Sequence, residues 1–236
     1  MTAARRARTV FAQMSRFSKL ISELGRHYGK VEPPPARGVL ELVLWENIAY
    51  LADDQRRAAA FARLKKEVGF APDKILAAPA AKLKDIASAG IVPDSTVKKL
   101  RKIAQIARDE FDGDAESILA LPPEKARRAL KKFPMIGGPG ADKLLLLTRT
   151  HPVLALESNG LRVLVRVGYA KEGKDYAATY RAVQEAVRAE LAPDCDALIQ
   201  AHVLLRRHGQ ELCRRSKPRC GECPVRRECA YFAAQS

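Results

Sequence analysis

His208-Gly209-Gln210-Glu211-Leu212-Cys213-Arg214-Arg215-Ser216-Lys217-Pro218-Arg219-Cys220-Gly221-Glu222-Cys223-Pro224-Val225-Arg226-Arg227-Glu228-Cys229 stands near the end of a 236-residue chain. Its four cysteines, Cys213, Cys220, Cys223 and Cys229, are spaced C-x6-C-x2-C-x5-C. Four thiolates in one short loop are able to wrap a single compact metal centre, and thiolates suit zinc and iron–sulfur clusters alike. Structural zinc usually takes two short pairs separated by a longer connection. Here one close pair is flanked by two single cysteines, which suits an iron–sulfur cube better, although the usual ferredoxin runs do not match either. Zinc and a disulfide pair remain the alternatives. Pro218, Gly221 and Pro224 supply tight turns, and the surrounding arginines and lysines are expected to favour the thiolate form.

The rest of the composition points the same way. Lys plus Arg number 42 against 27 Asp plus Glu, a net charge of +15. An excess of that size argues for a polyanionic partner, most simply nucleic acid. No run of 18 apolar residues occurs, so no membrane span and no membrane partner are expected. Met1–Arg8 is basic, but no apolar stretch and cleavage site follow, so a secretory signal is not expected. Four clustered cysteines plus one single one, Cys195, fit a reducing compartment. The expected location is the cytoplasm, alongside the nucleoid. Cys195, at a predicted helix start, reads as a small half-buried thiol rather than a ligand.

Periodicity predicts helices throughout. Residues 9–28 carry an apolar stripe of Val10, Phe11, Met14, Phe17, Leu20, Ile21 and Leu24. Pro33-Pro34-Pro35 breaks the chain, and a long apolar helix follows Gly38, continuing or restarting through Ala58–Leu64. Short helices are predicted at 73–79 and 81–88. Asp94-Ser95-Thr96 reads as the N-cap of a helix ending at Asp112-Gly113. Further helices are predicted at Glu124–Lys132, Ala141–Thr148, from Ser158, at Tyr176–Leu191 and at Asp196–His208. No alternating strand and no 20–50-residue repeat is present, so the class is all-α.

A second informative word is Phe133-Pro134-Met135-Ile136-Gly137-Gly138-Pro139-Gly140-Ala141-Asp142-Lys143. Two helices joined by a glycine-rich turn let a phosphate approach the backbone, and the second helix offers free N–H groups to an anion. Such a site holds DNA without reading its sequence; an ordinary tight turn is the alternative.

Together, the cysteine loop and this hairpin, about 70 residues before it, resemble the endonuclease III family of DNA glycosylases. The likeness spans about Gly38 to Cys229. It implies a two-lobed helix-hairpin-helix fold with a C-terminal 4Fe–4S loop. The expected divisions are an N-terminal helix and linker (1–37) packing on the cluster lobe, a six-helix lobe ending in the hairpin (38–150), and the cluster lobe (151–236). The implied partner is double-stranded DNA with a damaged or mismatched base, bound by a monomer. Gly137, Gly138, Gly140, Arg162, Lys217 and Arg219 are the residues implied to meet it. Where family members with strand-cleaving activity carry a lysine, this chain has Pro139, so a Schiff-base lyase reaction is not expected. Lys143, four residues on, is expected to face elsewhere. The family's catalytic aspartate falls in Leu156-Glu157-Ser158-Asn159-Gly160-Leu161-Arg162-Val163, where Glu157 replaces it. That carboxylate either stabilises an oxocarbenium-like sugar and activates water, or merely caps a helix. The family's polar wedge word is missing; Tyr50 or Leu51 would be an apolar substitute, and burial in the core is the plainer expectation. The function implied is hydrolysis of the N-glycosidic bond of a damaged base. The rivals are a non-catalytic binder of distorted DNA and a zinc-stabilised basic helical module.

Overall fold

The computed structural model describes residues 14–235; Val10 and Phe11 lie outside the described residues. Within them the chain is helical, without strands. Its first helix, α1 (Arg16–Tyr28), starts at Ser15, whose hydroxyl accepts the Ser18 N–H. Met14 precedes the helix and is exposed rather than part of its stripe.

One core is built by α2 (Gly38–Asn47), α3 (Asp54–Glu67), α4 (Pro72–Ala77), α5 (Ala80–Ala87), α6 (Pro93–Phe111), α7 (Pro123–Leu130) and α8 (Gly138–Leu147). The apolar run after Gly38 is buried on several sides, but it ends at Asn47. Asp53 then caps a separate α3, its carboxylate accepting the Arg56 N–H. Asp94 is not the cap of α6. Pro93 takes the first helical position, where its missing N–H costs nothing, and Asp94 sits in the first turn. Asp112, left-handed at φ 50°, ends that helix.

The second core joins α1 to α9 (Ser158–Val167), α10 (Tyr176–Val187) and α11 (Cys195–Glu211), with Val225 from the cysteine loop. Phe17, Leu20 and Leu24 bury α1 against it, each worth ~1.5–3 kcal/mol. The last helix, α12 (Ala230–Ala233), packs on α9.

Helix α8 belongs to both cores: Leu145 faces the first and Leu146 the second. Other ties cross the same boundary. Arg206 of α11 grips Asp54 of α3 with two hydrogen bonds of 2.7 and 2.6 Å, and Tyr180 of α10 donates to Asp142 of α8 at 2.9 Å. Among the described residues no helix is long and apolar enough to cross a membrane.

Candidate active site and cysteine loop

The hairpin joins α7 to α8. Gly137 is the N-cap residue of α8 and no side chain caps it. The first N–H groups of a helix lack intrahelical partners. With Pro139 contributing none, those of Gly137, Gly138 and Gly140 have no backbone partner among the described residues. Open space surrounds Gly137: a Cβ there would meet nothing within 4 Å. Met135 is exposed and left-handed at φ 63°, a conformation that costs a side-chain-bearing residue roughly 1–2 kcal/mol. The strain is held by its neighbours. Asn47 donates from Nδ2 to both Val43 O and Pro134 O, tying the hairpin to the end of α2. Asp142 is gripped by Arg127, 2.8 Å to Nε and 3.0 Å to Nη2. Burial nevertheless raises the Asp142 carboxyl, with Tyr180 and Arg127 only partly offsetting it.

Just beyond α2, Tyr50 and Leu51 are exposed, Leu51 at φ 57°. The expectation of burial does not hold for them. The Ile91 N–H donates to Tyr50 O at 3.2 Å. Exposed Ile91 and Val92 therefore extend the same apolar ridge beside the hairpin.

Glu157 is the N-cap of α9. Its Oε1 accepts the Gly160 N–H and its Oε2 the Asn159 amide, both at 2.8 Å. The capping role is thus real, and it also fixes the carboxylate at a helix's positive end. Its charge bears on Arg162, Arg206, His202 and Tyr176. Between the lobes lies a cavity of about 410 Å³ lined by Glu46, Lys143, His202, Arg206 and Asp54, with Pro33–Pro35 on one side. Lys143 therefore does not face elsewhere: its ammonium lies 2.6 Å from Glu46 Oε2 in this cleft. A residue four positions after Pro139 shares its helix face, and that arithmetic was the available signal. Glu46 and His202 carried no motif; each sits in an apolar run that reads as core.

All four loop cysteines line one pocket, floored by Val163, Val167, Leu212 and Val225. Among the described residues, no three His, Cys, Asp or Glu side chains are grouped to hold a single metal ion. The loop is fastened by arginines of α9. Arg162 donates to Cys213 O (2.8 Å), Gly209 O (2.7 Å) and Asn159 Oδ1 (2.8 Å). Arg166 donates to Arg214 O (2.7 Å) and Arg215 O (3.0 Å), and lies 3.5 Å from Cys213 Sγ. Much of the Arg162 guanidinium is thus spent on the loop's carbonyls. Lys217 is exposed, and Arg219, also exposed, pairs with Glu222. Basic neighbours pull towards thiolate at Cys213, but burial opposes them at two of the cysteines. Burial raises the Cys213 thiol despite Arg166 and Arg162, and pushes Cys223 up to about 11. His208, buried, lies 3.0 Å from the Tyr28 hydroxyl and 3.5 Å from Cys223 Sγ. Cys195, half-buried at the start of α11, has its thiol raised by burial and stands apart from this pocket.

The fold and site define a class: two all-helical lobes around a polar cleft, with a glycine hairpin at its edge and a four-cysteine loop on the second lobe. No family model matches the chain. It is 24% identical over 197 residues to endonuclease III of Sulfolobus acidocaldarius, covering 83% of each chain. It is 26% identical over 141 residues to the DNA glycosylase/AP lyase ROS1 of Arabidopsis thaliana, spanning about a tenth of that much longer protein. Among solved structures, a trapped endonuclease III–DNA covalent intermediate superposes with a TM-score of 0.73 at 17% identity, covering 94% of this chain and 99% of that one. A thermostable thymine-DNA glycosylase gives 0.71 at 14% identity, covering 92% and 97%. The chain has the endonuclease III-like helix-hairpin-helix glycosylase fold.

Proposed function

We propose that this chain is a base-excision DNA glycosylase of endonuclease III type, which hydrolyses the N-glycosidic bond of a damaged or mismatched base without cleaving the strand. The observation that carries the reading is the charged cleft between the lobes, walled by Glu46, Lys143, His202 and Arg206, close behind a hairpin whose free N–H groups suit a phosphate. The similarity to glycosylases along most of the chain supports it.

In this reading the backbone at Gly137, Gly138 and Gly140 grips one strand, and Lys217 and Arg219 add charge to the hold. Leu51 and its apolar neighbours fill the gap left when the base turns out of the stack. Glu157, oriented by Gly160 and Asn159, stabilises positive charge growing on the sugar and takes a proton from the attacking water. Pro139 offers no amine. The Lys143 nitrogen is engaged as an ammonium by Glu46, and an ammonium has no lone pair with which to attack C1′.

Cys213, Cys220, Cys223 and Cys229 would hold a 4Fe–4S cluster. Their chemistry fits: four sulfurs around one pocket, apolar floor below, Arg166 beside Cys213. Bound there, the cluster would serve as a rigid cross-link of the loop. The deciding experiment is a base-release assay over a panel of lesions and mismatches, with and without borohydride. Release without trapping is expected, and Glu157→Gln should lower it at least ~100-fold. No release from any duplex, or covalent trapping, defeats the reading or its hydrolytic part respectively.

A further inference from the structure

We infer that Glu46, Lys143 and His202 form the base-reading wall of the interlobe cleft, and that they select an uncharged base whose edge carries an N–H donor beside an acceptor. The inference rests on the glycosylase reading and deepens it by naming the substrate class.

The cavity, about 410 Å³, lies in the range of small-ligand sites. Glu46 and Lys143 form an ion pair there with most of both side chains buried, 20% and 16% exposed. A buried pair is a poor way to join two helices, because desolvation consumes much of its attraction. Helices α2 and α8 are already joined through Leu42, Val43, Leu144 and Leu145 of the first core. The pair is also incomplete. Only Oε2 of Glu46 meets Lys143, and among the described residues no side chain or backbone group bonds Oε1. The ammonium keeps two further N–H donors. Burial alone would raise the Glu46 carboxyl, but the charge and hydrogen bond of Lys143 more than reverse that, so Glu46 is anionic. The wall therefore presents an acceptor next to a donor.

His202 adds a second acceptor. Its Nδ1 is 2.8 Å from Ala155 O, and a carbonyl only accepts, so Nδ1 carries the proton. Burial and the charge of Lys143 hold the ring neutral, its pKa lowered to about 4. Nε2 is then a lone-pair acceptor, without a partner among the described residues, on a residue 4% exposed that lines the cavity. A neighbouring candidate, Arg206, is spent on Asp54.

An acceptor–donor wall with a further acceptor complements an N–H beside a carbonyl or ring nitrogen. Lactam bases such as uracil and hypoxanthine carry that edge, and so does the amidine edge of a mismatched adenine. 7-Methylguanine also carries an N1–H beside O6, so it differs from these bases in its positive charge, which the Lys143 ammonium on this wall opposes.

The test uses the full chain and duplexes carrying uracil, hypoxanthine, mismatched adenine or 7-methylguanine in 2′-fluoro form, which resists hydrolysis, beside an abasic-analogue duplex. Affinities are compared for wild type, Glu46→Gln, Lys143→Met and His202→Phe, with melting curves to confirm folding. Wild type should prefer at least one of the three uncharged bases over 7-methylguanine by roughly tenfold or more, and each variant should erase most of that preference. Abasic binding should stay within about twofold. The lactam and amidine duplexes decide which edge is read. A preference for 7-methylguanine, or variants that weaken abasic and lesion binding alike, overturns the inference. Because affinity is read without chemistry, the two readings separate. Selective binding without release from ordinary duplexes defeats the enzyme and spares the wall. Release with selectivity unchanged in all three variants does the reverse.

Discussion

Replacing Gly209 by alanine tests how Glu157, the proposed catalytic carboxylate, is positioned. Gly209 lies in the last turns of α11, where it passes the start of α9. A Cβ there would stand 2.5 Å from Asn159 O and 2.7 Å from Asn159 C and Cβ. Real Cβ contacts stay beyond 3.0 Å, so α9 must retreat by at least half an ångström. Asn159 backbone is not the loose end of a flexible side chain, and Arg162 bonds Gly209 O from the same helix, so the movement spreads. Overpacking of this kind costs ~1–3 kcal/mol, and alanine's advantage over glycine in a helix returns ~0.5–1 kcal/mol. A net loss of about 0–2.5 kcal/mol, centred a little above 1, is expected from these figures and is read as a lowered urea midpoint. The moved segment begins at Glu157, and a displacement approaching ~1 Å costs ~100-fold in rate, so single-turnover base release should fall by roughly 10- to 100-fold. Gly221→Ala, with nothing within 4 Å of its Cβ, is the control. An alanine at 209 with an unchanged or higher midpoint and the wild-type rate would refute the reasoning.

Gly137→Ala should leave stability within about 0.5 kcal/mol, since nothing crowds its Cβ, yet weaken duplex affinity several-fold by keeping the phosphate off the backbone. A filter-binding titration beside a thermal melt checks both. Asp54 is held below its ordinary pKa chiefly by the Arg206 hydrogen bonds, burial opposing them. A depressed carboxyl stabilises above its unfolded value, ~3.9, and loses that contribution as pH falls through the lower folded one. Arg206→Ala should therefore flatten part of the acid limb of a stability–pH curve below about pH 4, while still costing stability at pH 7. Cys220→Ser should abolish iron and sulfide retention measured by metal and sulfide analysis, whereas Cys195→Ser should leave both unchanged.

The helices were legible because their stripes are long and their breakers strong: Pro33–Pro35, Asp112-Gly113 and Pro122-Pro123 fall where the elements end. Boundaries slipped where two signals competed, as at α6, where Pro93 outranks the Asp94-Ser95-Thr96 cap. The hairpin and cysteine loop were legible because rare residues stand at fixed spacing. The cleft was not. Glu46 follows Val43-Leu44-Trp45 and His202 stands among Ala201, Val203 and Leu204, so local pattern assigns both to packing; only the approach of α2, α8 and α11 turns them into one wall. Arg162 carries a second role that local pattern hides. Its position in the family word suggested a DNA contact; its Nε and Nη2 instead hold carbonyls 51 and 47 residues away, a structural role that the word did not signal.

Consecutive leucines on α8 serve two different cores, and this bears on who must bend. Swinging one lobe from the other would drag either Leu145 or Leu146 out of its packing, at a cost in the kcal/mol range for each. With Arg206–Asp54 and Tyr180–Asp142 fastened across the same seam, the jaw is set at a fixed gape. The work of fitting then falls on the duplex, which kinks most cheaply where a pair is already weak, so mechanical softness of the double helix would act as a first filter before any base edge is inspected.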